Sequence, residues 1–304
     1  MSVPKLLLKT GFWIGFLASN LFPLQAKVLH AETSLYQHVI VSEVNKRRCL
    51  KFSNRTRVSN QSCQFRNRPN ALVFTYTKLL LTSVLAQQNP KSILVIGLGA
   101  GTMPTLFRQL FPKAKVESLE IDAVVVKMAK QYFAFRETPK NAVHTLDARV
   151  FVKRAGRKNK QYDLIIVDAF NGEYIPEHLM TKEFFEEVKT ILSPRGVLAS
   201  NTFTSSRLAK YETETYLSVF RPLLQMKASE SENRVFVYAQ DQSMLTKEHL
   251  EKGASKFASS FKKYDVLPQW LLAQKTRLDR EADKKLLLTD QFSPVNILNS
   301  QSSN

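Results

Sequence analysis

The sequence predicts an α/β protein with a parallel sheet that is covered by helices on both faces. An apolar run at residues 93–96 leads into three alternating glycines and then a helix-like stretch, which is typical of a buried strand, a tight turn and a helix. Strand-like and helix-like segments then alternate over short links up to residue 239. Such alternation builds parallel sheets, whose ligands bind beyond the carboxyl ends of the strands.

Gly97, Gly99 and Gly101 form the turn after the first of these strands. Glycine is needed there because the turn requires backbone angles closed to a Cβ, and because a ligand must come close to the main chain. The spacing therefore predicts a nucleotide or nucleoside site. The pattern alone does not say which, so the residues that follow decide its meaning.

The other elements are predicted from periodicity. Residues 34–64 alternate between apolar and polar side chains, with turns at Asn45-Lys46 and Ser53-Asn54, so a small antiparallel sheet precedes the glycine turn. The predicted helices are 71–85, 123–133, 150–154, 183–192 and 212–224. The predicted later strands are 116–120, 142–146, 162–167, 197–201 and 234–239. The predicted parts are an N-terminal segment (1–31), a β-stranded part (32–68), a Rossmann-like domain (69–245) and a helical extension with a frayed end (246–304).

The N-terminal segment resembles a secretory signal or a membrane anchor. Lys5 and Lys9 precede an apolar run at 11–24, and Ala26 and Ala31 are small residues at which cleavage could occur. The run is short for a membrane span, and neither alanine has a small residue two positions before it. A buried or interfacial helix is the alternative.

The net charge of +18 is high for a chain of 304 residues. It indicates either an ordinary solvated basic surface or affinity for nucleic acid or an anionic membrane. The lysines and arginines are scattered, and no recognisable nucleic-acid-binding motif accompanies them. The charge by itself therefore assigns no function.

Cys49 and Cys63 are the two cysteines, and both fall in the predicted small sheet. They could bridge a hairpin in an oxidising compartment or remain two separate buried thiols. No other Cys or His lies close enough in the sequence to complete a zinc site with them.

Carboxylates follow three successive predicted strands. Glu120, Asp147 and Asp168 stand at or just beyond the strand ends, so they point at the same crevice as the glycine turn. An acid after the second strand can accept hydrogen bonds from both ribose hydroxyls, and one after the third can accept from an adenine amino group. The alternative for a single acid is a helix cap, which applies to Asp122 and Asp147. A dinucleotide enzyme would also explain Glu120, but it does not explain Asp168.

The order of these motifs resembles the spermidine synthase family of aminopropyltransferases. The similarity rests on the glycine turn, Glu120-Ile-Asp122, Leu146-Asp147-Ala148, Ile-Ile-Val-Asp-Ala-Phe at 165–170, and Leu-Thr-Asp-Gln-Phe-Ser-Pro-Val at 288–295. The resemblance covers residues 34–240 and the stretch near 290, and it is specific in its combination rather than in any one motif.

The resemblance implies the fold of class I methyltransferases and, as co-substrate, decarboxylated S-adenosylmethionine or S-adenosylmethionine, without a metal. Asp168 would take or direct the proton of an attacking amine such as putrescine. The implied co-substrate residues are Gly97, Gly99, Gly101, Glu120, Asp147 and Ala148. The implied residues on the amine side are Tyr36, Gln37, Gln61, Tyr76 and Asn171. The dimers and tetramers of the family imply that the chain self-associates.

Two positions depart from the pattern of the characterised synthases. Their glycine loop carries an acid where this chain has Ala100, and their second carboxylate after Asp168 is the amide Asn171 here. Both changes remove negative charge where a diamine cation needs it, and Glu173 or Glu177 could compensate. Two other interpretations therefore stay open: an S-adenosylmethionine-dependent methyltransferase of unknown acceptor, and a nucleoside-binding protein without catalysis.

The predicted compartment is in conflict with the implied chemistry. The N-terminal segment predicts export or membrane anchoring, whereas the sulfonium co-substrate of the family is made and kept in the cytosol. The sequence leaves both compartments open.

Overall fold

The computed structural model describes residues 26–53, 58–170, 174–204, 208–294 and 297. In this part of the chain, four strands form a small antiparallel sheet and eight strands form a central sheet. The strands of the small sheet, in their order, are β1 (Lys27–Thr33), β2 (His38–Val44), β3 (Arg47–Ser53) and β4 (Val58–Phe65). The predicted small antiparallel sheet is confirmed. It begins at Lys27, so it crosses the predicted boundary between residues 31 and 32.

The central sheet has the strand order β12-β10-β11-β9-β8-β5-β6-β7. Its strands are β5 (Ser92–Ile96), β6 (Lys115–Glu120), β7 (Asn141–Thr145), β8 (Tyr162–Val167), β9 (Leu192–Phe203), β10 (Leu223–Lys227), β11 (Asn233–Ala239) and β12 (Lys275–Leu278). From β7 to β9 the strands are parallel, as predicted. The other pairs are antiparallel. For β10 and β11 the reason is the short connection 228–232, which allows only a hairpin.

Helices cover both faces of this sheet. They are α1 (Thr75–Leu80), α2 (Thr82–Ala86), α3 (Thr102–Leu110), α4 (Ala123–Tyr132), α5 (Ala148–Arg157), α6 (Lys182–Thr190), α7 (Leu208–Val219), α8 (Lys247–Lys262) and α9 (Pro268–Ala273). Alternate residues of β5 show why both faces are apolar. Ile93 and Val95 belong to the core that includes α2, α3 and α8, whereas Leu94 and Ile96 belong to the core of α5, α6 and α7.

Three predicted helical segments differ from the structure. The predicted helix 71–85 is two short helices, because α1 ends at Leu80 and α2 begins at Thr82. The predicted helix 212–224 ends at Val219, since Pro222 has no N–H to continue it, and the apolar residues that follow pair as β10. The predicted helical extension contains β12, which pairs with the other edge of β10.

Cys49 and Cys63 lie directly opposite each other on β3 and β4 and form a disulfide. Of the two alternatives, bridged or free thiols, the structure therefore shows the bridge. The disulfide links the two strands of the β3–β4 hairpin, and β4 carries residues such as Gln61 that line the cavity described below.

The predicted leader lies mostly outside the described residues, which begin at residue 26. None of the helices in the described ranges is long and apolar enough to cross a membrane. The prediction of a signal or anchor stays a prediction.

Candidate active site

A cavity of about 1110 Å³ lies at the carboxyl edge of the parallel strands, between the central sheet and the small sheet. Most of the predicted site residues line it. These are Tyr36, Gln37, Gln61, Tyr76, Gly97, Gly99, Glu120, Asp147, Ala148 and Asp168. These residues converge because the loops that follow parallel strands all lie at the carboxyl edge of the sheet.

The glycine turn has left-handed backbone angles at all three glycines. A Cβ on Gly97 would lie 2.1 Å from the backbone oxygen of Asp168, so only glycine lets β5 and β8 approach this closely. Gly101 is not among the residues that line the cavity, and its predicted role toward the ligand stays a prediction. A Cβ there would lie 2.6 Å from the ring of Phe135, so the packing of the turn requires a glycine at this position.

Glu120 ends β6 beside the glycine turn. Its carboxylate accepts hydrogen bonds from the backbone N–H groups of Leu98 (3.3 Å) and Asp122 (3.1 Å). Burial raises the pKa of Glu120 to about 6, and the hydrogen bonds oppose that rise. The carboxylate is therefore mostly ionised at neutral pH, and its remaining acceptor capacity suits a pair of hydroxyl donors.

Asp147 both caps a helix and lines the cavity, so the cap alternative and the ligand prediction are compatible. Its Oδ1 accepts from the N–H of Val150 (2.9 Å) at the start of α5. Its Oδ2 lies 2.8 Å from Nε2 of His178. Asp122 caps α4, which is the alternative given for it above. It accepts hydrogen bonds from the N–H of Val124 (2.9 Å) and from the hydroxyl of Ser34 (2.6 Å).

Asp168 follows β8 at the centre of the edge. Asn201, at the end region of β9, donates to its Oδ1 (2.9 Å), and the hydroxyl of Tyr76 also donates to it. Burial raises the pKa of Asp168 to about 6 against these two donors. The pKa of Tyr76 is raised well above its usual value by burial and by the charge of Asp168, so Tyr76 remains a donor at neutral pH. A carboxylate held in this way can accept a proton near neutral pH.

The side of the cavity next to the small sheet is formed by its turns and strands. Tyr36 and Gln37 lie on the β1–β2 turn. The backbone N–H of Ser34 donates to the carbonyl of Gln37 (2.9 Å), and the N–H of Gln37 donates to the hydroxyl oxygen of Ser34 (3.1 Å). Gln61 lies on β4, two residues from the disulfide at Cys63. Asn171 lies outside the described residues, so its predicted role stays a prediction.

The cavity is acidic in a basic protein. Its lining includes five carboxylates, and none of the described lysines or arginines contributes to it. The five are Glu120, Asp147, Asp168, Glu230 and Glu232. Because the chain as a whole carries a charge of +18, this local reversal favours cationic over anionic ligands.

A sequence model of the spermine/spermidine synthase domain matches residues 73–229. A polyamine aminopropyltransferase of Vibrio vulnificus is 41% identical over 281 residues, which cover 90% of this chain and 92% of that protein. The chain belongs to the spermine/spermidine synthase family. The expected family is therefore confirmed.

Solved structures of spermidine synthases share the fold. One from Corynebacterium glutamicum, described as a probable spermidine synthase, has a TM-score of 0.61 at 20% identity and covers 84% of this chain and 96% of its own. A spermidine synthase in complex with the transition-state analogue AdoDATO has a TM-score of 0.60 at 18% identity and covers 83% and 85%. The predicted class of fold is confirmed by these similarities.

Ala100, the position that departs from the family pattern in the glycine loop, does not line the cavity. It is buried at 2% exposure among apolar residues of the small sheet and α4, including Val41, Leu50 and Met128. In this member of the spermidine synthase family, the position contributes to the packing of the glycine turn against the small sheet and α4.

The sequence analysis did not predict several polar residues of the cavity, among them Asn201, Asn233, His178, Glu230 and Glu232. Asn233 donates to Oδ1 of Asn201 (3.1 Å), which extends the network of Asp168 to β11. Asn201 ends the predicted strand 197–201, so its position at the carboxyl edge of the sheet could have identified it as a site residue. Glu230 and Glu232 lie on the β10–β11 hairpin, which periodicity did not reveal.

Proposed function

We propose that this member of the spermine/spermidine synthase family transfers an aminopropyl group from decarboxylated S-adenosylmethionine to an amine such as putrescine. The observation that supports it most is Asp168, a half-buried carboxylate with a raised pKa and two fixed donors in a cavity with acidic walls. The named activity of the Vibrio relative supports the same reaction.

The reaction needs a neutral amine and leaves a cation. The lone pair of the amine nitrogen attacks the methylene next to the sulfonium, the carbon–sulfur bond breaks, and its electrons stay on sulfur as methylthioadenosine leaves. The new nitrogen centre carries the positive charge and must release a proton. Asp168 accepts that proton and stabilises the ammonium before its release. Tyr76 and Asn201 hold the carboxylate in one orientation.

The nucleoside of the donor would lie across the glycine turn. Glu120 would accept hydrogen bonds from the ribose hydroxyls, and Asp147 would accept from the adenine amino group. Gly97 and Gly99 leave the main chain accessible to the ligand. Tyr36, Gln37 and Gln61 would form the amine side.

The charge of the cavity distinguishes the two sulfonium donors. Intact S-adenosylmethionine carries a carboxylate, for which the described lining offers no lysine or arginine. The decarboxylated donor lacks that group and presents only cations. The methyltransferase alternative would suit an anionic acceptor, because the protein surface is basic. The acidic lining of the cavity argues against an anionic acceptor at this site.

Calorimetry with the two donors tests this proposal. We expect the decarboxylated form to bind about a hundredfold more tightly, because like-charge juxtaposition in a binding site costs several kcal/mol. Equal affinity, or a preference for the intact form, would contradict the aminopropyl reaction and favour methyl transfer. Methylthioadenosine, which carries neither the carboxylate nor the sulfonium, serves as the reference ligand in both series.

A further inference from the structure

The late motif that includes Asp290 lies outside the cavity, although it helped to identify the family. It packs instead on α6 and α7. The N–H of Lys182 donates to the carbonyl of Leu288 (2.8 Å), and the N–H of Leu288 donates to the hydroxyl of Thr215 (2.9 Å). The N–H of Asp290 donates to Glu183 (3.0 Å). The motif therefore holds the C-terminal segment against two helices.

Arg149 joins this segment to the first turn of α5. Its guanidinium donates two hydrogen bonds to Asp290 (2.6 and 2.7 Å) and two to Glu187 on α6 (3.0 and 2.9 Å). The side chain of Arg149 is only 11% exposed, and these bonds are charge-assisted. The guanidinium accordingly holds the pKa of Asp290 below its usual range. Arg149 follows Asp147, one of the acids of the cavity, by two residues.

The contacts continue from Arg149 to the cavity. Arg149 also donates to the backbone carbonyl of His178 (3.4 Å), and the ring of His178 lies 2.8 Å from Asp147 through Nε2. An ionised carboxylate only accepts hydrogen bonds, so Nε2 carries a proton and donates it to Asp147. The hydroxyl of Ser293 contacts the carbonyl of Glu177, the neighbour of His178, at 3.5 Å. Asp147 and His178 both line the cavity.

We propose that Asp290 and Arg149 are positioning residues for the nucleoside, acting through His178 on the carboxylate of Asp147. Val150 fixes one oxygen of Asp147 and His178 fixes the other, so the lone pairs left for a nucleobase amino group point in one direction. This inference rests on the proposed function, since it takes the nucleoside to be that of the donor. Asp168 has a separate network through Tyr76 and Asn201, so its chemistry does not depend on Asp290.

The test is calorimetric binding of methylthioadenosine to the full chain and to Asp290→Ala. We expect the variant to bind about tenfold more weakly, because small misplacements of a positioning group have effects of this size or larger. Arg280→Ala is the matched control. Arg280 forms a similar bidentate pair with Glu214 (2.8 Å to Oε2) and fastens the same C-terminal segment, but its contacts do not reach Asp147. The control should bind methylthioadenosine like the wild type.

A double-mutant cycle of Asp290→Ala with His178→Ala tests whether Asp290 acts on Asp147 through His178. The double variant should bind methylthioadenosine no more weakly than the weaker single variant, because both substitutions interrupt one chain of contacts.

With saturating donor, the pH profile of kcat for Asp290→Ala should match that of the wild type. Asp290→Asn, which keeps one hydrogen-bond acceptor for Arg149, should restore part of the affinity and is the variant to use if the alanine variant is unfolded.

Three results would overturn the inference: unchanged affinity in Asp290→Ala, equal losses in Asp290→Ala and Arg280→Ala, or additive losses in the cycle. A wild type that binds methylthioadenosine but does not turn over any amine would contradict the proposed reaction alone. In that case the same binding series still decides the role of Asp290. A wild type that does not bind methylthioadenosine would overturn both.

Discussion

Asp168 shows how burial and hydrogen bonding together set the protonation of one residue. Burial raises its pKa to about 6, whereas donation from Asn201 and Tyr76 lowers it. The carboxylate is protonated below that pH and cannot accept a proton from the amine. Activity should therefore fall as the pH drops through about 6, which is the direction expected for a base.

Tyr76→Phe tests that balance. Removing the hydroxyl removes a donor that stabilises the charged form, so the pKa of Asp168 should rise and the acidic limb of kcat/KM should move to higher pH by about one unit. Tyr132→Phe is the control, since its hydroxyl lies by His30 outside the cavity. An acidic limb at the same pH in wild type and Tyr76→Phe would show that Asp168 is not the titrating group.

At the scale of elements, the glycine turn sets how closely β5 and β8 approach. Gly97→Ala should lower the free energy of unfolding by about 3 kcal/mol, because the new Cβ would overlap the backbone of Asp168. Gly99→Ala is the contrast. Its Cβ meets only Ser62, at 3.5 Å, so we expect a loss of about 1 kcal/mol from the left-handed backbone, with weaker binding of methylthioadenosine. Denaturant unfolding of both variants measures the difference, and equal losses would contradict this account of Gly97.

The same elements show what sequence patterns can predict. Glu120 and Asp168 follow apolar strands, and parallel strands end at one edge, so their convergence follows from the pattern. Glycine spacing does not show what each glycine packs against, and the close contact of Gly101 with Phe135 depends on tertiary structure. The bond from His178 to Asp147 spans 31 residues and depends on tertiary packing, which local periodicity does not encode.

The β10–β11 hairpin was missed for a similar reason. The residues from 212 onwards have enough apolar character to suggest one long helix, but Pro222 ends it and β11 pairs with the residues that follow. The acids Glu230 and Glu232 therefore reach the cavity from a β-hairpin, where the sequence predicted a link between a helix and a strand.

At the scale of the whole molecule, a basic surface surrounds an acidic cavity, and a disulfide holds the small sheet that closes one side of it. The disulfide supports the predicted export or anchoring of the chain, which stays a prediction, as does self-association. Thiol labelling of the protein in fractionated cells tests the compartment: labelled cysteines in native protein would contradict an oxidising location.

The disulfide should also contribute to stability. Replacing both cysteines in Cys49→Ser/Cys63→Ser should lower the free energy of unfolding by about 3 kcal/mol, since the bond closes a loop of 14 residues in the unfolded chain. Reductant should lower the stability of the wild type to that of the double variant and leave the double variant unchanged. A wild type whose unfolding midpoint does not respond to reductant would contradict this prediction.

The most direct test of the central claim is a product assay with decarboxylated S-adenosylmethionine and putrescine. The wild type should release methylthioadenosine and an aminopropylated amine in equal amounts, and Asp168→Asn should lower kcat by about 10²- to 10⁴-fold. The control Asp265→Asn, at an exposed site outside the cavity, should retain wild-type turnover. Release of methylthioadenosine at the same rate by wild type and Asp168→Asn, or no aminopropylated product from the wild type, would contradict the claim.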